Sequence, residues 1–304
     1  MSDAHIALCL VDAGNDFQQL LKTEGEEAAR RQGLLIETHF TGNDLGAQLR
    51  RLRACVAAVR PPRAIVVLAV PDRGLAHAAR EALRAGVSFA FLNRTEDDVE
   101  ELRREAPAGA TAFAVCPDEF ETGRIQGRQF RARRPDGGLV LYVQGSTRNL
   151  AARDRTAGML EAVRGSALEV DRLEAGWTRE EARTAVRRWL TIVAPSNLRL
   201  DLVGAQNDLI ALGTLDALQE VARTAGRADL PRVPVCGCDG TPTTGQRLVR
   251  EGLLASTVVL PRSAAPAVEL VGRLLAGGAV PPALTLLAPV SYPPAAALQR
   301  AGAG

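Results

Sequence analysis

Apolar runs of strand length alternate with amphipathic stretches along most of the chain. Continuous apolar runs are typical of parallel strands that are buried on both faces, and the stretches between them have helical periodicity. The alternation predicts an α/β fold, with helices on both faces of parallel sheets. The first series consists of predicted strands at Ile6–Val11, Leu34–Phe40, Ala64–Val70 and Ser88–Leu92, and of predicted helices at Asp16–Gln32, Leu45–Val59 and Arg73–Ala85.

The segment Pro107–Gly109 interrupts this pattern, and a second series follows it. Its predicted strands are Thr111–Val115, Leu139–Val143, Leu168–Leu173, Leu200–Ala205, one starting at Val233, and Ala255–Leu260. Its predicted helices are Phe120–Arg133, Arg153–Val163, Arg179–Leu190, Asp208–Thr224 and Pro242–Glu251.

Two consecutive series of similar size predict two Rossmann-like, doubly wound lobes. The late segments Ser263–Gly277 and Thr285–Pro289 predict that the chain returns to the first lobe, giving crossovers near Pro107, Pro261 and Leu287. We therefore expect an N-terminal lobe of residues 1–109 plus 261–286 and a C-terminal lobe of residues 110–260 plus 287–304.

Composition narrows the range of functions expected of this chain. The 304 residues carry a formal net charge of +2, which gives no reason to expect nucleic acid as a partner. No apolar run is long enough to span a bilayer, so we expect no membrane insertion. The first residues do not read as a signal peptide, so a cytoplasmic protein is expected as written, and a periplasmic one if the true start lies upstream.

Little in the sequence indicates catalysis, a metal or a cofactor. The five cysteines are odd in number and fit reduced core thiols, and the pair Cys236 and Cys238 has no second ligand pair at zinc spacing. Dinucleotide, P-loop and nucleophile-elbow motifs are absent, and the histidines adjoin no nucleophile. We expect a non-enzymatic protein without a metal or cofactor.

Ligands of doubly wound sheets lie at the carboxyl ends of the strands. The predicted strand ends are followed by polar or aromatic candidates for ligand binding: Asn15, Phe17, Asn93, Arg94, Arg153, Trp177, Asn207 and Asp239.

Each candidate also has a purely structural interpretation. Asn15 and Asn207 are good helix N-caps, and a pair such as Asn93-Arg94, taken alone, is more often a surface turn. Arg153 belongs to a charged cluster that opens a helix, which is usually solvated, and a tryptophan near a strand end, such as Trp177, is more often core or helix packing. Only their order along the chain raises them above these alternatives.

That order resembles the type I periplasmic sugar-binding proteins of the ribose-binding group, whose fold also forms the effector-binding core of lactose-repressor-type regulators. The resemblance rests on D-G-T-P at Asp239–Pro242, Q-N-D-x-x-A-L-G at Gln206–Gly213 and A-A-R-x-R at Ala151–Arg155. It extends from about Ile6 to Pro289. It implies that the eight candidates line one cleft between the lobes, where the polar groups hold sugar hydroxyls and the aromatic rings cover apolar faces, with the first arginine of A-A-R-x-R reaching the ligand.

Four positions depart from the family pattern. Val11 replaces a small polar residue, Gln18 and Cys238 replace aromatic residues, and Leu260 replaces a glutamine. The aromatic clamp is thereby reduced to Phe17 and Trp177, so no particular sugar can be transferred from the family.

The resemblance implies a non-enzymatic binder of a monosaccharide or cyclitol that closes by a hinge and serves sensing or ABC-type uptake. Its partners would be the small-molecule ligand and a sensor or transporter component. The alternatives are an effector-binding regulator that acts through a partner protein and an enzyme on a doubly wound scaffold. A DNA-binding regulator fits less well, because no DNA-binding segment precedes the strand at Ile6.

Overall fold

A computed structural model describes residues 4–70, 74–93, 99–193 and 199–298. Contacts between Cα atoms divide the chain into two compact units. The first comprises Met1–Pro117 and Pro261–Leu287, and the second comprises Asp118–Leu260 and Ala288–Gly304. The chain therefore passes between the units three times.

The elements of the first long segment alternate strictly between strand and helix. They are β1 (His5–Leu10), α1 (Asp16–Arg31), β2 (Leu35–Phe40), α2 (Leu45–Val56), β3 (Ala64–Leu68), α3 (Ala76–Arg84), β4 (Ser88–Leu92), α4 (Val99–Glu105) and β5 (Ala112–Pro117).

The second unit continues the alternation. Its elements are α5 (Glu119–Arg133), β6 (Gly138–Gln144), α6 (Leu150–Val163), β7 (Leu168–Glu174), α7 (Arg179–Val193), β8 (Leu202–Ala205), α8 (Asp208–Ala225), β9 (Val235–Cys236), α9 (Gly245–Arg250) and β10 (Thr257–Val259). The chain then adds α10 (Ala264–Leu275) and β11 (Leu284–Leu287) to the first unit, and β12 (Val290–Tyr292) and α11 (Ala295–Leu298) to the second.

The first unit is built on a six-stranded parallel sheet in the order β11-β5-β4-β3-β1-β2. Strands β3, β4 and β5 are buried along their whole length. Each face of this sheet contributes to its own apolar cluster, with Ile65 and Phe89 on one face and Val66 and Ala90 on the other. Burial on both faces explains why the sequence has unbroken apolar runs here.

The second unit contains a four-stranded parallel sheet in the order β7-β6-β8-β9. Two apolar clusters cover its two faces, one around Leu141 and Val203 and the other around Tyr142 and Phe130. Strands β10 and β12 form a separate antiparallel pair. Two separate doubly wound sheets confirm the predicted two-lobed α/β fold.

The position of β5 differs from the expectation. The sequence placed the strand Thr111–Val115 at the start of the second lobe, whereas β5 pairs with β4 and β11 in the first sheet. The interruption at Pro107–Gly109 is a turn within the first unit, and the chain leaves that unit only after Pro117. The helix predicted at Pro242–Glu251 is shorter in the structure, where α9 covers only Gly245–Arg250.

Candidate functional site

The carboxyl ends of four parallel strands bring several candidate residues to one edge of the second unit's sheet. Gly145 follows β6, Trp177 follows β7, Asn207 follows β8 and Asp239 follows β9. Arg153 lies in the first turn of α6, the helix that follows β6. This edge is the place where ligands of such sheets bind.

Asp239 has an unusual backbone and an unusual carboxyl group. Its φ of 98° is in the left-handed region, and its carbonyl accepts a hydrogen bond from the Leu260 amide at 3.1 Å. Burial raises the pKa of the Asp239 carboxyl to about 7, although the Arg155 guanidinium acts in the opposite direction. A ligand that donates a hydrogen bond to this carboxylate would stabilise the ionised form and lower the pKa of Asp239 again.

Asp208 holds the turn that carries Asp239. Its carboxylate is 3% exposed and accepts hydrogen bonds from the Gly240 amide at 2.8 Å and the Thr257 hydroxyl at 2.9 Å. A Cβ at Gly245 would lie 2.1 Å from an Asp208 oxygen, so that glycine leaves the carboxylate its space. Burial, followed by the charge of Asp239, raises the pKa of the Asp208 carboxyl well above its usual range. Asp208 is the aspartate of the Q-N-D motif, but nothing in the sequence alone indicates this supporting role.

Trp177 is half-buried, and three neighbours determine its position. A Cβ at Gly145 would lie 2.2 Å from the indole ring, so the ring packs directly against that glycine. The Arg155 guanidinium carbon lies 5.9 Å from the centre of the ring, within cation–π distance. The Asn207 side-chain amide donates a hydrogen bond to the Trp177 carbonyl at 3.1 Å.

Asn207 has a structural role at this edge. Its side-chain oxygen accepts a hydrogen bond from the Ile210 amide at 2.6 Å and caps α8. Its amide nitrogen is the donor to Trp177, so one N–H of that group remains for another acceptor. The capping interpretation is therefore correct for Asn207.

The two arginines of the A-A-R-x-R motif have different environments. Arg153 is exposed, whereas Arg155 is 5% exposed. The Arg155 guanidinium donates to both carboxylate oxygens of Glu119, at 2.6 and 3.1 Å, and to the Gln206 carbonyl at 2.5 Å. Arg155 is thus a buried support beneath Trp177, whereas Arg153 is exposed to solvent.

Gln206 connects the ends of β6 and β8. It is fully buried, and its side-chain oxygen accepts a hydrogen bond from the Gly145 amide at 2.9 Å. Its side-chain nitrogen donates to the Ala152 carbonyl at 2.8 Å and to the Thr156 hydroxyl at 3.0 Å. These bonds fix Gly145 and the start of α6 relative to each other.

At the carboxyl edge of the first unit's sheet, Asn15 and Phe17 follow β1. The Asn15 side chain accepts a hydrogen bond from the Gln18 amide at 3.1 Å and caps α1, so the capping interpretation is also correct here. Phe17 is half-buried against the core. The Gln18 side-chain oxygen accepts from the amides of Val11 and Asp12 at 2.8 and 2.9 Å, which closes the end of β1.

Asn93 ends β4 with a φ of 60°, a left-handed conformation that asparagine tolerates. Its backbone N–H donates a hydrogen bond to the Val115 carbonyl at 3.0 Å, and its side-chain oxygen accepts one from the Ser263 hydroxyl at 2.5 Å. The predicted partner Arg94 lies outside the described residues.

The other three departures from the family pattern are buried. Val11 is 8% exposed, Leu260 is 4% exposed and Cys238 is fully buried. Within the described ranges, no group of three or more metal-ligating side chains is brought together. Nor does any helix in the described part of the chain have the length and apolarity needed to cross a membrane.

Comparison with known proteins gives a consistent result. The ribose import binding protein RbsB of Salmonella typhimurium strain LT2 is 28% identical over 280 residues, which cover 91% of this chain and 86% of that protein. A solute-binding protein of Actinobacillus succinogenes, solved with bound D-allose, superposes with a TM-score of 0.80 at 21% identity, covering 95% of this chain and 96% of that one. The Caulobacter myo-inositol binding protein superposes with a TM-score of 0.77 at 22% identity, covering 98% and 96% of the two chains.

A family model described as the periplasmic binding protein domain matches residues 6–279. That range includes every strand of the four-stranded sheet and all eight candidate residues. The chain belongs to the periplasmic binding protein domain family.

Proposed function

We propose that this protein binds a monosaccharide or cyclitol, without catalysis, at a site to which both units contribute. The observation that carries the proposal is the edge of the second unit, where the Trp177 ring, the Asp239 carboxyl and the exposed Arg153 follow neighbouring strands. The names of the relatives point to the same class of ligand, because they bind ribose, D-allose and myo-inositol.

The residue types suit a polyhydroxylated ring. A carboxylate accepts hydrogen bonds from hydroxyl groups and a guanidinium donates them, while an indole covers the apolar C–H face of a sugar. We propose that the ligand is held by Asn15, Phe17, Asn93, Arg94, Arg153, Trp177, Asn207 and Asp239. Asn15 and Asn207 would then combine helix capping with ligand contact.

We further propose that binding closes the two units by a hinge made of the three chain passages. A ligand that contacts both units favours the closed form, because only that form offers all of its contacts. The name of the ribose relative includes import, so uptake through an ABC transporter component is the proposed role. The family supports a periplasmic location for that role.

A regulator or an enzyme on the same scaffold is less well supported. The relatives reported above are binding proteins, and the supporting residues of this edge are engaged with one another. Arg155 is paired with Glu119, and Asp208 with Thr257 and Gly240.

The proposal can be tested by melting-temperature shifts. Protein that has been unfolded and refolded to remove bound small molecules is heated with D-ribose, D-allose, myo-inositol or L-leucine. A correct ligand at a hundred-fold excess over its Kd adds about 2.7 kcal/mol to stability. We expect at least one sugar or cyclitol to raise the melting temperature and L-leucine to leave it unchanged.

Asp239→Asn tests whether the shift comes from this site. Asparagine tolerates the positive φ at this position, so the change removes charge without adding backbone strain. The matched control is Asp136→Asn, an exposed aspartate in the turn before β6, at the opposite end of that strand. Loss of the shift in Asp239→Asn alone supports the proposal. A shift with L-leucine only, or equal shifts in both variants, contradicts it.

A further inference from the structure

Three polar side chains are buried beneath the carboxyl edge of the second unit's sheet. Gln126 lies in α5, Tyr142 lies in β6 and Gln206 follows β8, and all three are fully buried. A buried polar group without a hydrogen-bonding partner destabilises a protein, because it has been removed from water without compensation. The hydrogen bonds that these side chains make therefore restrain the backbone to which they attach.

Gln126 bridges two neighbouring strand ends. Its side-chain nitrogen donates a hydrogen bond to the carbonyl of Ala205, the last residue of β8, at 2.8 Å. The same nitrogen makes a longer hydrogen bond, at 3.4 Å, to the carbonyl of Gly237, which directly follows β9. Both acceptors are carbonyl oxygens, so the nitrogen of the amide must lie on this side, and the side-chain oxygen is left to accept a hydrogen bond elsewhere.

This bridge lies where the sheet itself gives little support. Strand β9 has two residues, and β8 and β9 pair at two positions. The pairing ends at Cys236, before the chain reaches Asp239. The bond from Gln126 to Gly237 therefore extends the connection between β8 and the segment that carries Asp239.

Tyr142 extends the connection to the next strand of the sheet. Its hydroxyl donates a hydrogen bond to the Gln126 side-chain oxygen at 2.7 Å and accepts one from the Gln206 side-chain nitrogen at 3.3 Å. Burial raises the pKa of the Tyr142 phenol, so the hydroxyl stays protonated and can donate. The ring packs edge-on against the ring of Phe130, with 6.1 Å between the centres. The ring is thus held by its own packing, and the hydroxyl is held by the two glutamines.

These contacts form a continuous path of hydrogen bonds across the carboxyl edge. In order, the path consists of the Gly237 carbonyl, Gln126, Tyr142, Gln206 and the Gly145 amide. Asp239 comes shortly after Gly237 in the sequence, and the Trp177 ring packs against Gly145. The path therefore joins the backbone that carries the Asp239 carboxyl to the backbone that supports the Trp177 ring.

We propose that Gln126 and Tyr142 are positioning residues that set the separation between the Asp239 carboxyl and the Trp177 ring, and that this separation selects among polyhydroxylated rings. The inference rests on the proposed function, because the separation matters only to a ligand that uses both groups. Gln126 and Tyr142 are fully buried, so they act through the backbone that they hold. A ring that fits the separation gains both contacts, whereas a ring of another size or substitution pattern loses one of them.

Two substitutions interrupt the path at different points. Tyr142→Phe removes the hydroxyl and keeps the ring that packs against Phe130. Gln126→Met removes the amide and keeps the length of the side chain. The matched control is Thr214→Val, which removes a buried hydroxyl of α8 whose hydrogen bond, to the Ile210 carbonyl at 2.9 Å, stays within that helix. All three changes remove a buried polar group, so a loss of stability alone should not separate the first two from the control.

The first measurement needs no ligand. In a Trp189→Phe background, Trp177 is the only tryptophan of the chain, so the fluorescence reports the surroundings of that ring. We expect Tyr142→Phe and Gln126→Met to shift the emission maximum and to increase quenching by acrylamide, and Thr214→Val to leave both unchanged. If one path variant does not fold, the other decides. Unchanged emission and quenching in the path variants, or an equal change in the control, would overturn the positioning role.

The second measurement compares affinities for D-ribose, D-allose and myo-inositol by titration. We expect each path variant to bind the best ligand of the wild type about tenfold more weakly, as when a buried hydrogen-bonding partner is lost, and to discriminate less between the three compounds. Thr214→Val should keep the wild-type Kd values. The double variant of Gln126 and Tyr142 should lose no more than the larger single loss, because the two residues act along one path. Additive losses would show that they act separately and would overturn the path.

The two measurements separate this inference from the proposed function. If the wild-type protein binds none of the three compounds, the proposed function fails and the selection of a ligand fails with it. The fluorescence then still decides whether Gln126 and Tyr142 position Trp177. If the wild-type protein binds one of them and both path variants keep its Kd values, the proposed function stands and selection by this path is overturned.

Discussion

Asp239 illustrates how one residue combines a structural demand with a chemical one. Its left-handed backbone lets the chain turn sharply between β9 and α9, and its carbonyl accepts the Leu260 amide. The same turn buries its carboxyl group, and this burial raises the pKa of the Asp239 carboxyl and makes its ionisation unfavourable. The ligand-free protein therefore carries an electrostatic cost at this residue that a hydroxyl donor could reduce.

Replacing Asp239 should change how stability depends on pH. Its pKa is about 7 in the folded state, against about 3.9 in an unfolded chain, so the folded state binds more protons between these values. Its contribution to stability is full below about pH 4 and is lost as the pH rises to about 7. We expect urea unfolding to show a weaker decline over this range in Asp239→Asn than in the wild type. Asp136→Asn should keep the wild-type slope, and an unchanged slope in Asp239→Asn would contradict the assignment.

At the scale of elements, the contact between α5 and α6 depends on glycines. A Cβ at Gly158 would lie 1.9 Å from the Phe120 carbonyl oxygen, and a Cβ at Gly123 would lie 2.0 Å from the Arg155 carbonyl oxygen. The two helix backbones touch, which places Arg155 and Glu119 close enough to pair. The Arg155–Glu119 pair beneath Trp177 thus depends on the lack of side chains at Gly123 and Gly158.

Gly158→Ala should separate these helices. Backbone atoms cannot move aside as a flexible side chain can, so we expect a loss of at least about 1–3 kcal/mol in the free energy of unfolding. The control is Ala157→Ser, a change of similar size at an exposed position of the same helix. Denaturant unfolding monitored by circular dichroism measures both, and equal stability of the two variants would show that the helices can part without cost.

Most elements could be predicted from the sequence, because buried parallel strands leave unbroken apolar runs such as those of β3 and β4. The lobe to which β5 belongs could not be predicted, because strands of both lobes have the same apolar pattern. The pairing of β5 with β4 depends on how the chain folds and leaves no local sequence signal. The helix α4 and the strand β12 were also missed, because both are short and carry little periodicity.

The candidate site was predictable to a similar extent. Asp239 and Trp177 come shortly after predicted strands, so topology alone places them at a sheet edge. Asp208, Gln206 and Arg155 were missed, because their roles depend on partners distant in sequence, such as Thr257, Gly145 and Glu119. A polar residue that is buried and fully bonded looks like any other polar residue in a sequence.

At the scale of the whole molecule, the chain completes neither unit in a single pass. Helix α10 and strand β11 return to the first unit after the second has formed, and β12 then returns to the second. Three passages between the units are what the proposed hinge closure would use. The proposed function needs such a closure, because a ligand shared by both units must bring the same residues together each time.

The most direct test of this account is isothermal titration of ligand-free protein with the sugar or cyclitol that gives the largest melting shift. One variant per unit is titrated: Asn93→Gly, which keeps the positive φ of the first unit's residue, and Asp239→Asn in the second unit. If one ligand contacts both units, each variant should lose about 1.5–3 kcal/mol of binding energy, roughly ten- to hundred-fold in Kd, while Asp136→Asn binds as the wild type does. Wild-type affinity in Asn93→Gly together with a large loss in Asp239→Asn would contradict a shared site.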